Sequence, residues 1–276
     1  MRTRTVFVAV VALGAVALAG CGHPHAKSAP GAAPAPATAP SHGVASVVLF
    51  GDSLSSQAAP DFDRLVMAGG ATVANYVYGG TAACDWLSTM RKVAASAPRA
   101  AVLEFVGTTF AACMQGCPPE SASAVTKYCG DVASAIAAFA AAGSHVFLEG
   151  TPITRGQSVA DDPHWDDLNR AFQALAAKDP SWVTYVDAGR AVEGDGGSFT
   201  WTLPCMATEP CLGPTVDGVP SNTVRAPDGV HFCQGVGTTL GCPTYSSGAY
   251  RFAAAMARPV VEYLQSSRNA KAAPAS

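Results

Sequence analysis

The sequence predicts an α/β domain: a five-stranded parallel sheet, strand order 2-1-3-4-5, with helices covering both faces. Three observations predict it. Short apolar runs rich in β-branched residues end at glycines or polar turns, as buried strands do. Between them lie longer segments whose apolar residues recur at three and four, as on one face of a helix. The two kinds of segment alternate five times, which argues for parallel strands joined by right-handed helical crossovers. In the order 2-1-3-4-5, strand 1 lies between strands 2 and 3, and the turns after all three converge on one sheet edge, where open α/β sheets bind ligands.

The first strand is the run Ser46-Val47-Val48-Leu49-Phe50, about 46–51, closed by Gly51-Asp52-Ser53. A helix is expected near 59–68, with Phe62, Leu65 and Val66 inward and Gly69-Gly70 at its end. Strand 2 covers about 71–77 and runs into Gly79-Gly80; a helix near 85–96 carries Trp86, Leu87, Met90 and Val93 on one face and stops before Pro98. Strand 3 is Ala101 to Val106, ending at Gly107. A long helix from about 120 to 142 repeats Val125, Tyr128, Val132, Ile136 and Phe139. Strand 4 follows at Ser144 to Leu148, a helix at Asp166 to Lys178, and strand 5 at Trp182 to Val186. Residues 188–243 are rich in Gly, Pro and Cys and show no sustained period; a stretch this long in a compact domain is usually functional or disordered, and its four cysteines make it a stapled, ordered excursion. A last helix spans about 246–265, carrying Tyr250, Phe252, Met256, Val260, Val261 and Leu264.

Ahead of the domain, Arg2 and Arg4 precede an uncharged apolar stretch from Val6 to Leu18. It is too short to span a bilayer and suits an export signal over 1–20. Leu18-Ala19-Gly20-Cys21 resembles the bacterial lipobox, which implies lipidation of Cys21 and attachment to the outer face of the cell membrane. Residues 21–43 read as an Ala/Pro-rich tether. The domain then covers 44–266 and a flexible tail 267–276. Only 13% of residues are charged and the formal net charge is −3, with no basic run, so nucleic acid is excluded as a partner. A monomer is expected.

Setting Cys21 aside leaves eight cysteines, at 84, 113, 117, 129, 205, 211, 233 and 242. An even number in an exported chain reads as disulfides, and no Cys-x2-Cys pair favours zinc. The expected pairs are 84–113, 117–129, 205–211 and 233–242.

A serine one step past the first strand stands where a nucleophile is useful, although Gly-Asp-Ser is also an ordinary turn. A nucleophile needs a base and a group to orient that base. Asp228-Gly229-Val230-His231, just before the last helix, offers both in a bent segment. Asp161-Asp162-Pro163-His164 has the same Asp-x-x-His spacing, but its acids suit a helix start better.

Phe50-Gly51-Asp52-Ser53-Leu54-Ser55 and Pro227-Asp228-Gly229-Val230-His231 resemble the first and last blocks of the SGNH, or GDSL, hydrolases. Gly80, followed by Thr81-Ala82, fits the second block, with Gly79 the second choice. The resemblance implies a flavodoxin-like three-layer fold and hydrolysis or acyl transfer on a small-molecule, lipid or glycan ester. It implies Ser53 as nucleophile, His231 as base and Asp228 as its orienter. It also implies oxyanion donors from the Ser53 and Gly80 amides. The third block departs from the family pattern. Its Gly-x-Asn reads Gly107-Thr108-Thr109 here, so Thr109 stands in place of the asparagine that supplies the third donor. No Gly-x-Ser-x-Gly, His-Glu-x-x-His or P-loop is present, and no metal or nucleotide cofactor is expected.

Overall fold

The computed structural model describes residues 45–119, 121–157, 166–234 and 240–272. Cys21, the tether and His164 lie outside the described residues. The elements are β1 (Ala45–Gly51), α1 (Ser53–Ala68), β2 (Ala71–Val77), α2 (Ala83–Ala94), β3 (Ala100–Glu104), α3 (Ala122–Ala141), β4 (His145–Glu149), α4 (Asp167–Lys178), β5 (Val183–Val186), β6 (Thr202–Pro204), β7 (Thr215–Val216), β8 (Val219–Thr223) and α5 (Ser247–Ala272). Strands β1–β5 form the predicted parallel sheet in the order β2-β1-β3-β4-β5.

Every residue of the central strands β3 and β4 is buried, as expected for a sheet covered on both faces. On one face, α1 and α5 pack over Val47, Leu49, Ala100, Val102 and Phe147, contributing Leu54, Phe62, Val66, Phe252, Met256, Val260 and Leu264. The alternate residues point the other way: Phe50 stacks on Tyr76 at 4.6 Å and meets Trp86 of α2 and Phe139 of α3. Each fully buried side chain of this kind contributes about 1.5–3 kcal/mol, so the two apolar layers hold the strand ends in a fixed register. Among the described residues, no helix is long and apolar enough to cross a membrane.

Helix α1 starts at Ser53, directly after the strand, rather than near 59. Leu54, Ala58, Phe62 and Val66 extend the apolar stripe back to the first turn, all of them buried. The polar residues Ser53, Ser55, Ser56 and Gln57 are buried beside them and hide the period. Asp52 begins the helix: its side chain accepts from the Leu54 N–H at 3.1 Å, an N-cap. Helix α5 continues to Ala272, beyond the expected end at 265.

The aperiodic stretch contains a small antiparallel sheet, β6-β8-β7. Asp217 and Gly218, with φ of 49° and 80°, form the two-residue turn between β7 and β8. Beside it, the Asn222 carboxamide accepts from the Leu212 and Gly213 N–H groups and donates to the Pro210 carbonyl. Glu209 receives Arg251 and Ser247 from α5, which fastens the insertion to the body of the domain. Burial alone would raise the Glu209 carboxyl, but these donors, the Met206 N–H and Tyr245 together lower it to about 2.

Three expected disulfides form: Cys84–Cys113, Cys205–Cys211 and Cys233–Cys242. The fourth expected pair, Cys117 with Cys129, does not. Cys129 is drawn into the buried face of α3, next to Tyr128, while Cys117 stays at a half-buried position in the preceding loop.

Candidate active site

The turn after β1 is made by its residue types. A Cβ on Gly51 would sit 2.4 Å from the Ser55 Oγ and 2.7 Å from the Glu104 carbonyl, so only glycine fits. The Asp52 carboxylate, fully buried, spans two segments: Oδ1 caps α1 and Oδ2 accepts from the Val106 N–H at 2.7 Å. The loop after β3 is therefore tied to the first turn of α1. Ser53 is the first residue of that helix and is buried except for its outer edge.

In that first turn, the N–H groups of Leu54, Ser55 and Ser56 go to Asp52 Oδ1, Glu104 Oε2 and the Asp52 carbonyl. This leaves the Ser53 N–H, alone of the first four, without a partner among the described residues. It points from the positive end of a helix, the place where backbone amides bind anions.

The other half of the site comes from the insertion. Asp228 Oδ1 accepts from the Val230 and His231 N–H groups at 2.9 and 3.0 Å, which bends the segment into an Asx turn. Gly229 has φ +75°, and a Cβ there would collide with Arg155 at 2.3 Å. The bend sets Asp228 Oδ2 2.8 Å from His231 Nδ1. His231 Nε2 lies 2.9 Å from Ser53 Oγ. Burial would raise the Asp228 carboxyl, but bonds from the Val230 and His231 backbone and from the imidazole bring it below its usual range. An ionised Asp228 accepts Nδ1–H, so Nε2 carries the lone pair that faces the Ser53 hydroxyl. Ser53, far in sequence from His231 and Asp228, thus joins them in one hydrogen-bonded chain.

Gly80 and the loop after β3 also meet. Gly80 has φ +78°, and a Cβ on it would lie 2.9 Å from the Phe110 ring. Thr108 is anchored from below, its carbonyl accepting from the buried Tyr128 hydroxyl at 2.8 Å. Thr109 sits half-buried between that anchor and Phe110, whose side chain is 81% exposed. A cavity of about 160 Å³ opens on the far side of this loop, lined by Val106, Gly107, Tyr128, Thr151, Leu168 and Asn169 among others. None of Ser53, His231 and Asp228 lines it.

Beneath the site lies a row of acids that the sequence reading passed over. Gly51, Glu104 and Glu149 are register partners across β1, β3 and β4, and both glutamates are fully buried. Glu104 Oε2 accepts from the Ser55 hydroxyl and N–H, but its Oε1 and both oxygens of Glu149 have no hydrogen-bond partner among the described residues. Burial, with the Asp52 charge added for Glu104, pushes both well above the usual carboxylate range. Burial also raises Asp52 to about 6, against the opposing bonds from Val106 and Leu54. Burial without a cationic partner disfavours the charged form of an acid. The signal was legible: Glu104 interrupts an otherwise apolar strand, and charged residues are almost never fully buried unless paired.

No family model and no curated protein matches the sequence. Solved structures are similar in fold. An SGNH hydrolase assignment from Slackia heliotrinireducens shares 17% identity over 79% of this chain and 100% of its own, with a TM-score of 0.51. An acylhydrolase assignment from Bacteroides fragilis shares 15% over 79% and 87%, also with a TM-score of 0.51. The chain has the SGNH hydrolase fold. The five-strand order and the placement of the blocks at its carboxyl edge agree with that fold.

Proposed function

We propose that this protein is a serine hydrolase or acyltransferase acting on carboxylic esters. The observation that carries the reading is the hydrogen-bonded chain from Ser53 through His231 to Asp228. His231 Nε2 takes the Ser53 hydroxyl proton as Oγ bonds to the ester carbonyl carbon. The oxyanion is held by the Ser53 and Gly80 amides and the Thr109 hydroxyl. The tetrahedral centre collapses, the alcohol leaves with the proton from Nε2, and an acyl-serine remains. Water or an acceptor alcohol gives its proton to Nε2 and attacks that ester; as the acyl–Oγ bond breaks, Nε2 returns the proton to Oγ and the acid or new ester leaves. Asp228 keeps the ring in one tautomer and favours the imidazolium.

The substrate side is a lipid, glycan or small-molecule ester, with no metal or nucleotide taking part. Cys21 carries the lipid that anchors the exported, monomeric enzyme to the outer face of the membrane. Incorporation of an acyl-chain analogue into the wild type, absent from Cys21→Ser, tests the anchor. Hydrolysis of short p-nitrophenyl esters tests the chemistry. Ser53→Ala should abolish it, and equal rates in the two proteins would reject Ser53 as nucleophile.

Thr109 favours a second reading, an envelope-binding lipoprotein with weak chemistry. A threonine hydroxyl is shorter than a carboxamide and its χ1 is restricted, and loss of one oxyanion donor costs about 10²–10³ in rate. An inert wild type that Thr109→Asn makes active would favour it.

A further inference from the structure

We infer that Gln57 is a positioning residue for the His231 base, an inference that rests on the esterase reading above. Gln57 lies one helical turn after Ser53 on the same face of α1 and is buried. Its carboxamide grips the two residues that follow His231. Oε1 accepts from the Phe232 N–H at 2.8 Å, and Nε2 donates to the Cys233 carbonyl at 3.0 Å. One amide thus satisfies a buried donor and a half-buried acceptor of a chain that is neither helix nor strand there. The same helix holds this chain a second time. Pro60 has no N–H, so the Ser56 carbonyl four residues earlier lacks its helical partner, and it accepts from the Gly241 N–H at 2.8 Å. The Cys233–Cys242 bridge closes the segment between the two grips.

The consequence is geometric. Ser53 and Gln57 belong to one rigid turn, so the hydroxyl and the clamp move together. The backbone of His231 is fixed relative to Ser53 by contacts made on the next two residues rather than by the imidazole itself. Arg225 donates to the Val230 and Ile153 carbonyls, so residues 230 to 233 are held by a second set of bonds as well. Without the Gln57 bonds, the Phe232 N–H would be buried without a partner and the half-buried Cys233 carbonyl would lose its own, and the loop would shift to solvate them. A displacement of about 1 Å in a base costs on the order of 10² in rate.

The test uses p-nitrophenyl acetate turnover by the full exported chain, with folded fraction checked by thermal unfolding. Gln57→Met, close in shape but without hydrogen bonds, should lower kcat about 10²-fold and leave KM within about 2-fold. Gln57→Glu keeps the acceptor and loses the donor, so its kcat should fall between. In a His231→Ala background, Gln57→Met should change the residual rate less than about 3-fold, because the clamp acts through the ring that is gone. A folded Gln57→Met protein with wild-type kcat, or an equal loss in both backgrounds, would overturn the inference. If wild type hydrolyses no ester, the esterase reading is what fails. The side-chain nitrogen resonances of His231 then decide on Gln57: they should move in Gln57→Met, and unchanged resonances would overturn the clamp.

Discussion

Ser53 stands at the end of a buried strand, whereas His231 stands near the end of an excursion from 188 to 243 that has little regular structure. The strand side is organised by periodic burial. Leu49 and Phe50 are fully buried on opposite faces of the sheet, and the turn that follows has one capping acid and one obligatory glycine. The histidine side is organised by local polar bonds and covalent links. It has an Asx turn at Asp228, a two-residue hairpin at Asp217-Gly218, an ion pair from Glu209 to Arg251, and two disulfides. The first kind of order is spread over many weak contacts, and the second is concentrated in a few strong ones. Single changes should therefore damage the second region locally while the sheet stays folded.

The largest expected effect follows from the join between the regions. His231→Ala should lower kcat/KM by about 10²–10⁴-fold with the far-UV circular dichroism unchanged, because it removes the general base and nothing from the core. An unaffected rate would separate the two halves functionally. Next is Thr109→Val, which keeps the shape and removes the hydroxyl. It should lower kcat on the order of 10²-fold with little change in KM, as loss of an oxyanion donor does. A silent substitution there would assign the third donor elsewhere.

The covalent order of the insertion gives the third. Replacing Cys233 and Cys242 by serine opens a bridge with a sequence separation of 9. A loop of that size stabilises by about 2–3 kcal/mol in the chain-entropy account. Activity should be lost at lower urea than the helical signal of the body of the domain. Coincident transitions would show that the insertion and the sheet unfold as one.

The buried acids give the smallest and the most unusual effect. Asp52 has its folded pKa raised from 3.8 to about 6, so the folded state binds the proton more tightly than the unfolded state. Its contribution is favourable at low pH and is lost as pH rises from about 4 to 6. Glu104 and Glu149 are also raised, by burial, and contribute in the same sense. Glu209 and Asp228 act in the opposite sense, since lowered pKa values contribute stability that disappears on acidification below about 4. Urea midpoints should peak on the acidic side of neutral and fall toward pH 7. Asp52→Asn should flatten the part of that slope between about pH 4 and 6, an effect of order 1–3 kcal/mol.

The same contrast explains what the sequence made legible. All five strands of the parallel sheet and their order follow from burial periodicity, which both layers of the core obey. Ser53, Asp228 and His231, which lie in one hydrogen-bonded chain, stand out instead by local turn spacing and by their resemblance to the SGNH blocks. Where side chains serve a site rather than a core, periodicity misleads. Buried Ser55, Ser56 and Gln57 break the apolar stripe and pushed the apparent start of α1 six residues too far along the chain. In the insertion, the Asp217-Gly218 hairpin signal was present but stood between strands too short to show alternation. The expected Cys117–Cys129 pair does not form because α3 turns Cys129 toward the core. Gln57 carries no motif, because its partners are backbone groups distant in sequence, and Glu104 and Glu149 are brought side by side only by the register of β3 and β4.

Fluorophosphonate labelling followed by peptide mass spectrometry tests the central claim most directly, since the probe bonds only to a serine with an activated hydroxyl. The account predicts a single adduct on Ser53 in the wild type, formed far more slowly in His231→Ala. A wild-type protein that takes no label at Ser53, or labels it equally fast without His231, would contradict it.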